Sequence, residues 1–176
     1  MNDMLEEELQ IMEEQLLENP KVLNEEIFKL PIEKLNVSKC FSVDESANIY
    51  ETVESMQKKK IGSVVITKNG KLTGIITERD ILMKVVGKIS DLKNTKVKEV
   101  MTADPIALRS EDMIAYVMNN MHVGGYRHVP IVNENEEPVG MISIKDVMSF
   151  ILDYFPESIL NITGEPFRGP VSRESA

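Results

Sequence analysis

The strongest constraint on this chain is that one pattern occurs in it twice. Residues 48–57 carry Ile49, Val53 and Met56 at helical spacing, and the β-rich run Ser63-Val64-Val65-Ile66-Thr67 follows. A turn comes next at Lys68-Asn69-Gly70-Lys71, and Asn-Gly between two apolar runs is a strong hairpin signal. The second strand reads Leu72-Thr73-Gly74-Ile75-Ile76, after which Thr77-Glu78-Arg79-Asp80 opens another helix. The same order returns with Met113-Ile114-Ala115-Tyr116-Val117-Met118, His128-Val129-Pro130-Ile131-Val132, a turn, Pro138-Val139-Gly140-Met141-Ile142 and Ser143-Ile144-Lys145-Asp146. Met56 matches Met121 at an offset of 65, while Gly74 matches Gly140 and Asp80 matches Asp146 at 66, so one residue is inserted in the second hairpin turn. The strands leading into the helices match as well, Cys40-Phe41-Ser42-Val43 against Pro105-Ile106-Ala107-Leu108. Two copies of one α/β unit are therefore expected over residues 31–155. Each alone is too small to bury much of its surface, so they are expected to pack on each other.

Composition narrows the function classes. At 176 residues the chain suits one domain or two small ones sharing a core, and 42% apolar content is enough to build that core. No apolar run approaches the roughly 18 to 20 residues that span a bilayer, so no membrane insertion is expected. The N-terminus, Met1-Asn2-Asp3-Met4-Leu5-Glu6-Glu7-Glu8, is acidic where a secretory signal is basic and then apolar, which predicts a cytoplasmic protein. The lone cysteine, Cys40, excludes an internal disulfide framework and a multi-cysteine zinc site. Of the net charge of −9, residues 1–35 account for −7, with ten acids against three lysines. The body is nearly neutral and lacks the broad basic footprint of a nucleic-acid binder.

Outside the repeats, Leu5, Leu9, Met12 and Leu16 lie on one helical stripe that Asn19-Pro20 would end. Such a helix can lie on the core or a second subunit, or dock a partner; it is under three heptads long, too short for an independent coiled coil. Beyond Phe155-Pro156 the Gly- and Pro-rich run to Pro170 reads as an extended tail. The expected organisation is an acidic helical arm (1–30), a first repeat (31–90), a second repeat (91–155) and a tail (156–176).

In both repeats a glycine and two apolar residues lead to a hydroxyl and, three residues on, an aspartate: Gly74-Ile75-Ile76-Thr77-Glu78-Arg79-Asp80 and Gly140-Met141-Ile142-Ser143-Ile144-Lys145-Asp146. Two readings fit. In one, Thr77 and Ser143 cap helices and the aspartates sit in the first turn. In the other the same geometry offers donors to a phosphate and a carboxylate to both hydroxyls of a ribose.

The two copies resemble a tandem pair of CBS domains, the cystathionine β-synthase-type repeat that forms Bateman modules. The resemblance covers about 125 of the 176 residues. It implies a mixed α/β (α+β) fold of two β-α-β-β-α repeats packed with pseudo-twofold symmetry, flanked here by the acidic helix and the extended tail. It implies two clefts, each borrowing from both repeats: Thr77 and Asp80 with Thr102 and Ile106 of the segment 101–106, and Ser143 and Asp146 with Lys39 and Phe41 of the segment 37–41. Family members bind AMP, ADP, ATP, S-adenosylmethionine, NAD-type molecules or cyclic dinucleotides, and some bind nothing known. Arg127 and His128 stand where related sensors carry phosphate-facing basic residues, and on position they are assigned to the Asp146 cleft, with Arg127 its strongest donor. The first repeat has Ile61-Gly62-Ser63 at that point. Arg79 and Lys145 either add charge or are simply solvated.

Chemistry of other kinds finds little support. There is no P-loop, no G-x-G-x-x-G, no H-E-x-x-H and no nucleophile with a histidine base in a recognisable motif, so no enzyme is expected. His122 has no second ligand at metal spacing. The resemblance points instead to a regulatory module that takes AMP, ADP, ATP or S-adenosylmethionine without a required cofactor. It also implies a homodimer, with which the stripes Ile49, Val53, Met56 and Ile114, Met118, Met121 are consistent, and an unknown regulated protein. The alternative is a scaffold with weak clefts whose arm and tail dock a partner.

Overall fold

A computed structural model describes residues 25–154, so the acidic helix and the Gly/Pro tail lie outside the described residues. Residues 25–148 make one compact unit, and the described residues 149–154 belong to another, within which the rings of Phe150 and Tyr154 stand 5.0 Å apart. In chain order the elements are α1 (Glu26–Lys29), β1 (Ser42–Asp44), α2 (Ile49–Lys59), β2 (Ser63–Lys68), β3 (Lys71–Thr77), α3 (Glu78–Asp80), β4 (Thr102–Ala103), α4 (Ile114–Gly124), β5 (His128–Val132), β6 (Pro138–Ser143) and α5 (Ile144–Leu152). After α3 the chain continues as a π-helical turn, Ile81–Val85, closed by Val86 N donating to Ile81 O at 3.0 Å.

Local chemistry sets these elements. Asn48 begins α2 by accepting from Glu51 N at 2.8 Å, and Lys60, at φ 54, ends it. Asn69 and Gly70, at φ 52 and 82, make the tight hairpin between β2 and β3 that Asn-Gly predicts. The longer second turn is held by Asn133, whose Oδ1 accepts from Asn135 N and Glu137 N. This is where the inserted residue is absorbed.

Four strands form one sheet in the order β1-β2-β3-β4, with β1 parallel to β2 and the other pairs antiparallel; β5 and β6 form a second, antiparallel pair. The repeats exchange their lead-in segments. Thr102, in the second repeat's lead-in segment, pairs with Ile75 on the first repeat's β3, and Ser38, in the first repeat's lead-in segment, bridges to Met141 on the second repeat's β6. Likewise Val97 N donates to Ala47 O at 2.9 Å, and Ile32 N donates to Asp112 O at 2.8 Å. These matched pairs carry the pseudo-twofold relation. The expected lead-in strand at Pro105–Leu108 shrinks to a single parallel bridge, Leu108 to Ile131. The reason is that neither Pro105 nor Pro130 has an N–H to give to the ladder. Cys40 and Phe41 likewise precede β1 rather than lying on it.

The continuous apolar run of β2 is covered on both faces. Val64 and Ile66 join Ile49, Met56, Ile76, Val97 and Val100 in the core beneath α2, while Val65 and Ile75 meet Met141 of the second repeat. Of the two helical stripes, Ile49, Met56, Ile114 and Met121 are buried within the chain, while Val53 and Met118 stay partly exposed. Each helix lies against its own small sheet, which takes up that face. The apolar side chains left exposed include Leu82, Met83 and Val86 on and after the π turn.

Candidate functional site

The repeated hydroxyl–aspartate pairs form the same local structure in both repeats. Asp80 Oδ2 accepts from Thr77 N at 2.9 Å and Thr77 Oγ1 at 2.7 Å, and Asp80 N donates back to Thr77 Oγ1 at 3.3 Å. Asp146 Oδ2 accepts from Ser143 N and Ser143 Oγ at 2.7 Å each, and Asp146 N returns to Ser143 Oγ at 3.4 Å. Both pairs are therefore reciprocal capping boxes. Capping engages only one oxygen of each carboxylate, so it does not exclude a second role for the other.

The Asp80 pair borders a cavity of about 360 Å³ whose wall combines first-repeat residues Thr77 and Asp80 with second-repeat residues Thr102, Ile106, Arg127 and His128. That volume is within the usual range for small-molecule pockets. Ile75, Pro105 and the exposed Ile106 supply apolar surface for a flat ring, while Thr77, Asp80 and Thr102 supply polar groups beside it. Arg79, also on the wall, donates through Nη1 to Gly125 O at 3.0 Å and so ties the start of α3 to the end of α4. Gly125, at φ 64, ends α4 in the left-handed conformation that turns its carbonyl toward that guanidinium.

The assignment of Arg127 and His128 to the Asp146 side is corrected by this geometry: both line the Asp80 cavity. The exchange of lead-in segments brings the start of β5 across to the first repeat's helix, while its backbone stays paired with the second, His128 opposite Ser143 and Arg127 O accepting from Ile144 N at 2.9 Å. Ser143, Asp146, Lys39 and Phe41 are not among that cavity's lining residues. Phe41 packs against the first repeat's core with Lys59 Nζ 4.8 Å from its ring centroid, and Lys39 is exposed. Cys40 is half-buried, its thiol pushed up by burial and its Sγ donating to Pro138 O at 3.7 Å.

Charge around the cavity is mixed. Burial alone raises the Asp80 carboxyl, but the hydrogen bonds from Lys84 and Thr77 together with the Lys84 charge outweigh it and hold the group below its ordinary value. Burial and the charge of Arg127 push the His128 imidazole down, against the weaker opposing pull of Glu78 and Asp146. Glu78 and Asp104 add two more carboxylates to the wall.

Four participants were not identified from sequence. Glu78 and Asp104 flank residues that were, and Lys84 sits four residues after Asp80, a spacing that pairs side chains on a helix. Tyr126 lines the cavity just past the Gly124-Gly125 helix stop, and its buried hydroxyl has no hydrogen-bond partner among the described residues.

Comparison with known proteins agrees with this architecture. The family model for the CBS domain matches residues 32–87 and 97–153. The CBS domain-containing protein CBSCBSPB5 of Arabidopsis thaliana is 32% identical over 114 residues, covering 64% of this chain and 21% of its own length. The chain thus spans about a fifth of the length of the first such plant relatives. Among solved structures, a CBS-domain-containing protein from Agrobacterium tumefaciens is 32% identical with a TM-score of 0.58, covering 64% of this chain and 90% of that one. A CBS domain protein from Pyrobaculum aerophilum, complexed with AMP, is 28% identical with a TM-score of 0.62, covering 74% and 95%.

Proposed function

The chain belongs to the CBS-domain family, and on that premise we propose that it is a regulatory, non-catalytic module that takes an adenosyl ligand in the Asp80 cavity and passes the binding event to a partner or a second copy. The observation that carries this reading is the convergence of a carboxylate, two hydroxyls, apolar wall residues and an arginine from both repeats on one cavity of about 360 Å³. A ribose diol is read at Asp80, an adenine lies along Ile75 and Ile106, and a phosphate meets Arg127. The AMP complex of the Pyrobaculum relative supports the same class of ligand. Because the pocket spans both repeats, a ligand there favours one inter-repeat arrangement by its differential affinity for that arrangement.

The charge balance favours AMP, or an uncharged or cationic adenosyl group such as that of S-adenosylmethionine, over ATP. Arg79 is committed to Gly125 O, and Glu78 and Asp104 oppose a chain of phosphates. A homodimer through the exposed Leu82, Met83 and Val86 gives the module a route for transmission. The test is calorimetric titration of nucleotide-stripped protein with AMP, ADP, ATP and S-adenosylmethionine, repeated on Asp80→Asn and Asp146→Asn. AMP or S-adenosylmethionine binding that Asp80→Asn weakens and Asp146→Asn spares supports the reading. Absence of binding by all four below millimolar concentration rejects it and leaves the scaffold reading.

A further inference from the structure

We propose that Lys84 competes with the ligand for Asp80, so that a ribose diol binds the first-repeat cleft only by displacing the Lys84 ammonium from Oδ1. This rests on the reading of the Asp80 cavity as an adenosyl site and adds the residue that sets its affinity.

An ionised carboxylate offers about four acceptor positions, and those of Asp80 are all taken. Oδ2 accepts from Thr77 N and Thr77 Oγ1. Oδ1 meets Lys84 Nζ at 2.7 Å and accepts from Thr102 Oγ1 at 3.1 Å. Lys84 Nζ also donates to Thr102 Oγ1 at 3.2 Å, so the three groups close a ring between the first repeat's π turn and the second repeat's lead-in segment. The pair on Oδ2 is the local capping box, which recurs at Asp146 and goes with the chain's turn. The pair on Oδ1, Lys84 four residues on and Thr102 from the other repeat, lies outside the cap and is the exchangeable one. Thr102 is held on β4 by its pairing with Ile75, whereas Lys84 stands on a flexible stem with 40% of its side chain exposed. The ammonium, which water solvates well, is thus the group that leaves, and its departure frees one acceptor position on Asp80 Oδ1 and one on Thr102 Oγ1 for the two hydroxyls.

The second repeat provides an internal control. Phe150 stands at the sequence position equivalent to Lys84, and among the described residues nothing is hydrogen-bonded to Asp146 Oδ1. Among the described residues the two aspartates are thus alike in their caps and unlike at Oδ1.

The test titrates wild type and Lys84→Met, both as the full chain, with adenosine, 2′,3′-dideoxyadenosine and AMP. Adenosine is expected to bind about tenfold more tightly to Lys84→Met, since one charge-assisted bond no longer has to be broken. Dideoxyadenosine, which has no diol to exchange, is expected to bind both proteins equally. Unchanged or weaker adenosine binding by Lys84→Met overturns the proposal, as does a loss confined to AMP, which would make Lys84 a phosphate contact. Equal tightening of dideoxyadenosine overturns it too, because the gain would then not come from the diol. If neither protein binds any of the three compounds, the adenosyl reading itself fails and the proposal fails with it; if wild type binds adenosine and Lys84→Met binds it no better, only the role of Lys84 fails. Lys84→Gln, carried in parallel, has the same expected outcomes should the methionine variant not fold.

Discussion

Gly140 lies directly beneath Val37, so closely that a Cβ on the glycine would overlap Val37 Cγ1 and stand 3.3 Å from Ser38 O. This is the point where the first repeat's lead-in segment crosses the second repeat's hairpin. Gly74 makes the pseudo-twofold-related crossing beneath Met101, in the second repeat's lead-in segment. The glycine shared by both copies of the motif is therefore a crossing point between repeats, set two residues before the strand's last apolar position.

Gly140→Ala is expected to destabilise the fold by about 1 to 3 kcal/mol, the usual range for forcing a methyl into a filled contact. Gly74→Ala should cost less, because a methionine side chain can move aside where a branched valine beside backbone cannot. Urea unfolding of both variants measures this. A Gly140→Ala protein within about 0.5 kcal/mol of wild type would mean that the crossing is not tight.

Asp80 links stability to acid. Its carboxyl is held below its ordinary value despite burial, by Lys84 and Thr77. A group lowered in the folded state contributes fully above its unfolded value, about 3.9, and that contribution is lost as pH falls through the lower folded value. Wild type should therefore lose more stability than Asp80→Asn between pH 5 and pH 2.5, as read from denaturant midpoints. Parallel curves for the two proteins would contradict the linkage.

His128 acts in a higher window. Burial and Arg127 push its imidazole down, so the folded protein keeps it neutral where an unfolded histidine, near 6.5, takes up a proton. Its contribution is complete above about pH 6.5 and is lost as pH falls toward the folded value. His128→Gln should flatten the stability profile between about pH 7 and 5, and a variant as pH-sensitive as wild type there would show that the histidine is not held neutral.

The proposed function puts Arg127 on a phosphate and not on the nucleoside. Arg127→Ala should weaken AMP about ten- to a hundredfold, the size of a charge-assisted hydrogen bond, and leave adenosine unchanged. Equal losses for both compounds would place the arginine on the base or ribose, or make it structural.

Much of this was legible in the sequence because it is local. The repeat, the Asn69-Gly70 hairpin and the hydroxyl–aspartate caps follow from residues within a few positions of one another, and the structure forms them as expected. What was not legible depends on the crossing of the two repeats. Arg127 sits in the second repeat by sequence yet lines the first repeat's cavity, because the exchanged lead-in segments bring β5 beside α3. The stripe of Val53 and Met56 fits a dimer surface in sequence, and only the fold shows Met56 buried, with Val53 packed partly buried against the same core. Lys84 is at helical spacing from Asp80, but Thr102 joins them only because a strand from the other repeat converges there, and periodicity carries no sign of that.

The most direct measurement of the central claim is the crystal structure of the protein grown with AMP. Density for the nucleotide between Thr77, Asp80, Thr102 and Arg127, with its ribose hydroxyls at Asp80 Oδ1 and Thr102 Oγ1, is the predicted result. A saturating AMP complex whose nucleotide lies elsewhere, with the Asp80 cavity empty, would contradict it.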